Sequence, residues 1–314
     1  LTMRIDYETE RAGGVYSERM LRKSQSIWQM PSTPESLKKE ETEARLRGVD
    51  VTISPESMEY MEKVNERKEA AQKERERLQK EWEMQNPQNP FGRMGTQFSI
   101  ISNALAEHGF YDNMSDDEVL EIENLLVNIT HGMNSVCGTV KVLSPESEQL
   151  TSQAAKFELE SSTAALRQFS QKYVSGEMQD FFNNLVDQYY EHNSKVLEGY
   201  QSSRETSNEL LAAIYEKTAS NRRAPLSENE KMIQMAGKVK VDEEDEKEAI
   251  KEWRKCLKAL ADGKGEVGEM MGRMSDILKM LASGNSENKQ LLNYVEQWNS
   301  PAIENARKYW SVLV

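Results

Sequence analysis

Along most of the chain apolar residues recur at intervals of three and four, the spacing that lines one face of an α-helix. After Ser115 they fall at Val119, Ile122, Leu126, Ile129 and Met133, with Leu125 widening the stripe. A preceding stripe of Leu150, Ala154, Phe157, Ala164, Ala165, Phe169 and Tyr173 runs to a turn at Ser175-Gly176. From Glu177 to Ala219 one apolar face is held by Met178, Phe182, Leu185, Tyr189, Val196, Tyr200, Leu210 and Ile214. The spacing predicts one helix of about 60 Å, folded back antiparallel on its predecessor. Ser203, Thr206 and Ser207 interrupt that seam and mark a place for a bend. Four shorter patterns follow, around Trp253, Met271, Leu292 and Trp310. Only Thr139–Val142 and Lys238–Val241 show even brief alternation of the strand type.

Local start and stop signals agree with helices throughout. Thr33-Pro34-Glu35, Ser54-Pro55-Glu56 and Ser144-Pro145-Glu146 each offer a hydroxyl cap, a proline at the first helical position and an early acid. Ser300-Pro301 repeats the first half of that signal. Ser115 with Glu118 and Ser227 with Glu230 are capping boxes, and Asp242 heads an acidic turn. Gly109, Gly132, Gly176 and Gly284 stand where helices are expected to stop. The predicted fold is all-α: an elongated helical bundle with a long central antiparallel hairpin, a charged N-terminal helical arm and a C-terminal cap of short helices.

Charge divides the chain. Residues 1–90 hold 16 basic and 18 acidic residues, 91–220 hold 8 and 19, and 221–314 hold 16 of each, so nearly all of the net charge of −13 sits in the middle. Proline-rich polar stretches at 85–90 and around Pro225 fall near the same places. The expected domains are therefore a partly flexible arm (1–90), an acidic central hairpin (91–220) and a helical cap (221–314). Residues 1–53 lack a continuous apolar stripe and are expected to be the most mobile part. An acidic balance argues against nucleic acid as a partner. No apolar run suits a membrane span or a signal peptide, which points to a cytoplasmic protein or one exported by a non-Sec route.

Chemistry-bearing motifs are few. Gly263-Lys264-Gly265-Glu266-Val267-Gly268 satisfies G-x-G-x-x-G, but it follows a helix rather than a strand. It reads as a helix-to-helix turn in which Gly268 and Gly272 permit close packing. His108, His131 and His192 are not within ligand spacing of one another, and Cys137 and Cys256 are far apart, so no metal site or cofactor is expected. His108 and His131 read as residues near helix ends, Cys137 as a small buried thiol. The acidic run 242–246 lacks the glycine and alternating oxygens of a calcium loop. The sixteen methionines, Met270, Met271, Met274 and Met280 among them, fit core filler or an adaptable docking groove.

On the arm, Met61, Val64, Leu78 and Trp82 lie along a heptad-like seam and are the candidate protein-docking residues, with Trp82 the natural anchor. The segment Val51-Thr52-Ile53-Ser54-Pro55-Glu56-Ser57-Met58 resembles the lead-in to the helical part of flagellar anti-sigma factors, over fewer than a dozen residues. Taken together, the residues favour a non-enzymatic helical interaction or structural protein that meets protein partners through helix–helix contacts and is able to form oligomers. One alternative is an export-linked bacterial component of a flagellar, phage or secretion apparatus. Another is an α-helical hydrolase using a carboxylate pair in the acidic centre.

Overall fold

A computed structural model describes residues 14–27, 69, 73, 89–140, 150–218 and 225–314. Among the described residues it has ten α-helices, one 3-10 turn and no strand. The helices are α1 (Val15–Ile27), α2 (Gln97–Glu107), α3 (Asp116–Cys137), α4 (Ser152–Tyr173), α5 (Glu177–Leu197), α6 (Ser203–Thr218), α7 (Glu228–Ala236), α8 (Glu243–Ala261), α9 (Val267–Ala282) and α10 (Lys289–Leu313). No helix among them is long and apolar enough to cross a membrane. The docking seam of Met61, Val64, Leu78 and Trp82, the Val51–Met58 lead-in, the caps at Thr33, Ser54 and Ser144, and all of the N-terminal segment 1–53 except 14–27 lie outside the described residues.

The chain divides into two compact units, Tyr16–Met94 and the larger Leu1–Val15 with Gly95–Val314. In the smaller unit a 3-10 turn at Pro90–Gly92 is opened by Asn89, whose side chain accepts from the N–H of Phe91. The larger unit is built around α4, which packs on α3, α5, α8, α9 and α10. Its core is filled by Phe157, Leu166 and Phe169 of α4 against Phe182 and Tyr189 of α5 and Tyr309 and Trp310 of α10, all buried. The expected α3 stripe is also buried, from Val119 to Met133. Helices α4 and α5 lie antiparallel, since Arg167 pairs with Asp187 while Tyr190 donates to Glu160. Gly176, at φ 63°, makes the turn between them in a conformation that favours glycine.

Caps follow the sequence closely. Ser115–Glu118 and Ser227–Glu230 form complete capping boxes on α3 and α7, and the Asp242 side chain accepts from the N–H of Glu244 to start α8. His108 caps the end of α2, its Nδ1 2.9 Å from the carbonyl of Ala104 and its ring stacked on Phe181.

Five expectations are corrected. The single helix from Glu177 to Ala219 is two, α5 and α6, because Gly199 takes φ 72° and Ser202 with Glu205 opens a new helix. Val196, Leu210 and Ile214 are in consequence exposed, and α6 buries Asn208 and Ala212 instead. Gly132 does not end a helix but sits inside α3, where a Cβ would lie 2.6 Å from Oε1 of Glu158. His131 is therefore within that helix too. Pro301 does not begin a helix; it lies inside α10, and the Ser300 hydroxyl donates to the Gln297 carbonyl that the missing proline N–H leaves unpaired. Gly268 and Gly272 are not packing positions, since a Cβ on either would meet nothing within 4 Å. The G-x-G-x-x-G segment is the α8–α9 turn, with Gly263 at φ 64°. The two brief alternating segments form no strand where they are described; Lys238 and Val239 instead close turns on Met235 and Ala236.

Candidate functional site

The two carboxylates fully buried among the described residues, Glu123 and Glu158, are the natural first places to look for acid–base chemistry. Glu123 is enclosed by donors. Glu123 of α3 accepts from the Ser102 hydroxyl at 2.8 Å and from the backbone N–H of Val15, the first residue of α1, at 2.6 Å. Gly14 passes so close that a Cβ would meet the Glu123 carboxylate at 2.7 Å. Burial, with Glu123 adding to it, raises the nearby Tyr111 phenol well above its ordinary range. Glu158 of α4 lies among α3, α4 and α10, with Asn305 3.5 Å away. Burial pushes its carboxyl up to about 8, against the pull of His131 and Asn305 in the other direction. Around it Ser161 accepts from Trp253 Nε1 and Ser162 accepts from the Tyr189 hydroxyl, both at 2.9 Å. A second polar layer pairs the amides of Gln97 and Asn193 reciprocally, at 2.6 and 3.0 Å. These buried groups satisfy one another, which fixes register across the bundle.

Access lies elsewhere. A cleft of about 550 Å³ runs along α4, bounded by α8 and by Tyr190 of α5. On α4 its lining residues are Glu160, Thr163, Ala164, Arg167, Gln168 and Gln171, a stripe at helical spacing. On α8 the spacing repeats at Arg254, Leu257, Lys258 and Ala261. The two helices run in the same sense, because Lys156 pairs with Glu246 while Glu160 pairs with Arg254. Arg254 grips Glu160 with Nε and Nη2, each at 2.6 Å, and Tyr190 donates to the same carboxylate at 3.0 Å. This two-pronged contact holds the Arg254 guanidinium above its ordinary value. Burial and the Glu160 carboxylate together raise the Tyr190 phenol.

Helix α8 has a second cleft on its flank toward α9, of about 420 Å³. Asp245, Glu248, Glu252 and Asp276 surround an apolar floor that includes Ile277 and the exposed Met280. Of the methionines singled out above, Met270, Met271 and Met274 are core and only Met280 faces a groove. A small polar cavity of about 110 Å³ lies behind Glu205. Among the described residues no three His, Cys, Asp or Glu side chains gather closely enough to hold a metal ion. Cys137 is buried, its Sγ 4.0 Å from the Asn193 carbonyl.

The residues of the α4–α8 cleft are not among those the sequence singled out. A signal for them exists in α8, where residues 243–252 hold six acids and two lysines while 253–261 hold three cations and no acid. Pairing the basic half with Arg167 takes the tertiary structure. No protein-family model, curated protein or solved structure matches the chain.

Proposed function

We propose that this is a non-enzymatic helical protein that works by receiving a partner helix in the cleft between α4 and α8. The observation that carries this reading is the pair of same-sense helical stripes, from Glu160 to Gln171 and from Arg254 to Ala261, with no third helix between them among the described residues. Ridges at i, i+3, i+4 and i+7 on both walls are the surface into which the side chains of another helix pack. The volume of about 550 Å³ is enough for several anchoring side chains. Glu123 and Glu158, the described carboxylates best placed for proton chemistry by their burial, line none of the clefts described above, and Glu123 is held by internal donors.

A photoreactive amino acid at the exposed Ala261, in the full chain and irradiated in the native host, is expected to give a discrete cross-linked species with a helical segment of one partner. The same residue at exposed Lys231, on α7, is the control and is expected to give none. A smear equal at both positions, or nothing at Ala261, overturns the reading.

A further inference from the structure

Resting on that reading, we infer that the α4–α8 cleft selects a partner helix whose apolar stripe is flanked by carboxylates. The chain carries a net charge of −13, yet the cleft is lined by Arg167, Arg254 and Lys258 against the single acid Glu160. That acid is already consumed, since it accepts two bonds from Arg254 and one from Tyr190. Among the described residues Arg167 pairs with Asp187, a contact between two exposed side chains. With Arg254 offset by Glu160 and Arg167 met by the exposed Asp187, Lys258 leaves the cleft a small local excess of positive charge beside the apolar Ala164, Leu257 and Ala261.

The arrangement fits a helix better than a compact ligand. The α4 stripe spans twelve residues, a rise of about 16 Å or three turns. Lys258 and Ala261 on one wall and Ala164 and Arg167 on the other are each about one helical turn apart, so each wall sets a cation beside an apolar contact. A docked helix with leucines facing Ala164 and Leu257 would set its flanking positions beside Arg167 and Lys258. Glutamates there gain from apposition to cations over a low-dielectric floor, whereas lysines meet like charge. The other cleft of α8, toward α9, has the opposite rim, so the preference belongs to this face and not to the helix as a whole.

The test uses the full chain and a fluorescein-labelled synthetic peptide of about four turns, with leucines on one face and glutamates flanking them. Its twin carries lysines in place of the glutamates. The glutamate peptide is expected to bind about tenfold tighter or more, a difference of about 1.4 kcal/mol, and added salt should narrow the gap. Reversing both exposed cations, Arg167→Glu with Lys258→Glu, should invert the preference while leaving the helical melting curve in place. Ala261→Trp, which fills the mouth, should weaken both peptides. If the lysine peptide binds as well or better, or charge reversal leaves the preference unchanged, the charge inference is wrong. If in that case Ala261→Trp still blocks binding, helix docking in the cleft stands without it. If neither peptide binds, or Ala261→Trp changes nothing, both fall together.

Discussion

At the scale of single residues, Glu158 shows how one buried group makes stability depend on pH. In the unfolded chain its carboxyl returns to the ordinary value near 4.5, whereas burial in the bundle raises it to about 8. Between those values the folded state keeps a proton that the unfolded state releases. The group's contribution is therefore most favourable below its unfolded value and is lost as the pH rises through the folded one. Glu158→Gln keeps the shape and removes the titration. The wild-type melting temperature should fall from about pH 5 to about pH 9 by more than that of the variant, with the variant the more stable at the alkaline end. Parallel curves would show that the carboxyl is not held protonated. The adjacent Gly132 belongs to the same contact. Alanine there would place a Cβ 2.6 Å from Glu158 Oε1, so Gly132→Ala should destabilise the fold despite the better helix propensity of alanine. Gly272→Ala, in α9 with nothing within 4 Å, should instead stabilise by about 0.5–1 kcal/mol. Denaturant unfolding of the two variants distinguishes these signs.

At the scale of elements, the helix ends explain why the predicted central rod is broken. Glu205 lies in the first turn of α6 and completes a capping box with Ser202. The same carboxylate reaches across to accept from the backbone N–H and the hydroxyl of Ser152 at the start of α4, at distances from 2.6 to 3.0 Å. Two helix N-termini thus share one anion, where both dipoles favour negative charge. Glu205→Ala should cost about 2 kcal/mol, roughly two caps' worth, and Glu205→Gln should recover part of it. A loss no larger than that of Glu230→Ala, whose carboxylate completes the capping box of α7, would refute the shared cap. Helix α10 makes the complementary point. A proline that reads as a start was absorbed into a helix interior because Ser300 partners the freed carbonyl, and because Ala302, Ile303, Ala306, Tyr309 and Trp310 bury the following turns.

At the scale of the whole molecule, the acidity that dominates the composition is not spread evenly between the two clefts that flank α8. Helix α8 divides it, acidic toward its start and basic toward its end, in the sense that its own dipole favours. Packed on α4 and α9, it displays the basic half with Arg167 in one cleft and the acidic half with Asp276 in the other. An acidic chain thus has, among its described residues, a cleft lined by more cations than acids. The exposed Leu210 and Ile214 of α6 add an apolar pair outside either cleft, left free once Asn208 and Ala212 turn inward.

The sequence by itself determined the helical class, the position of most helices and several of their caps, because these depend on three- and four-residue spacing and on hydrogen bonds made within a turn. Val119 to Met133, Ser115 with Glu118 and the Gly263 turn were legible for that reason. Only the tertiary structure decided what Gly132, His131, Pro301 and the glutamates at 158 and 205 do, since each acts through a residue from a distant helix or through burial that no local pattern encodes. The cleft belongs to the second group. Its cations come from α4 and α8, some 90 residues apart along the chain, and become one site only when those helices lie side by side in the same sense.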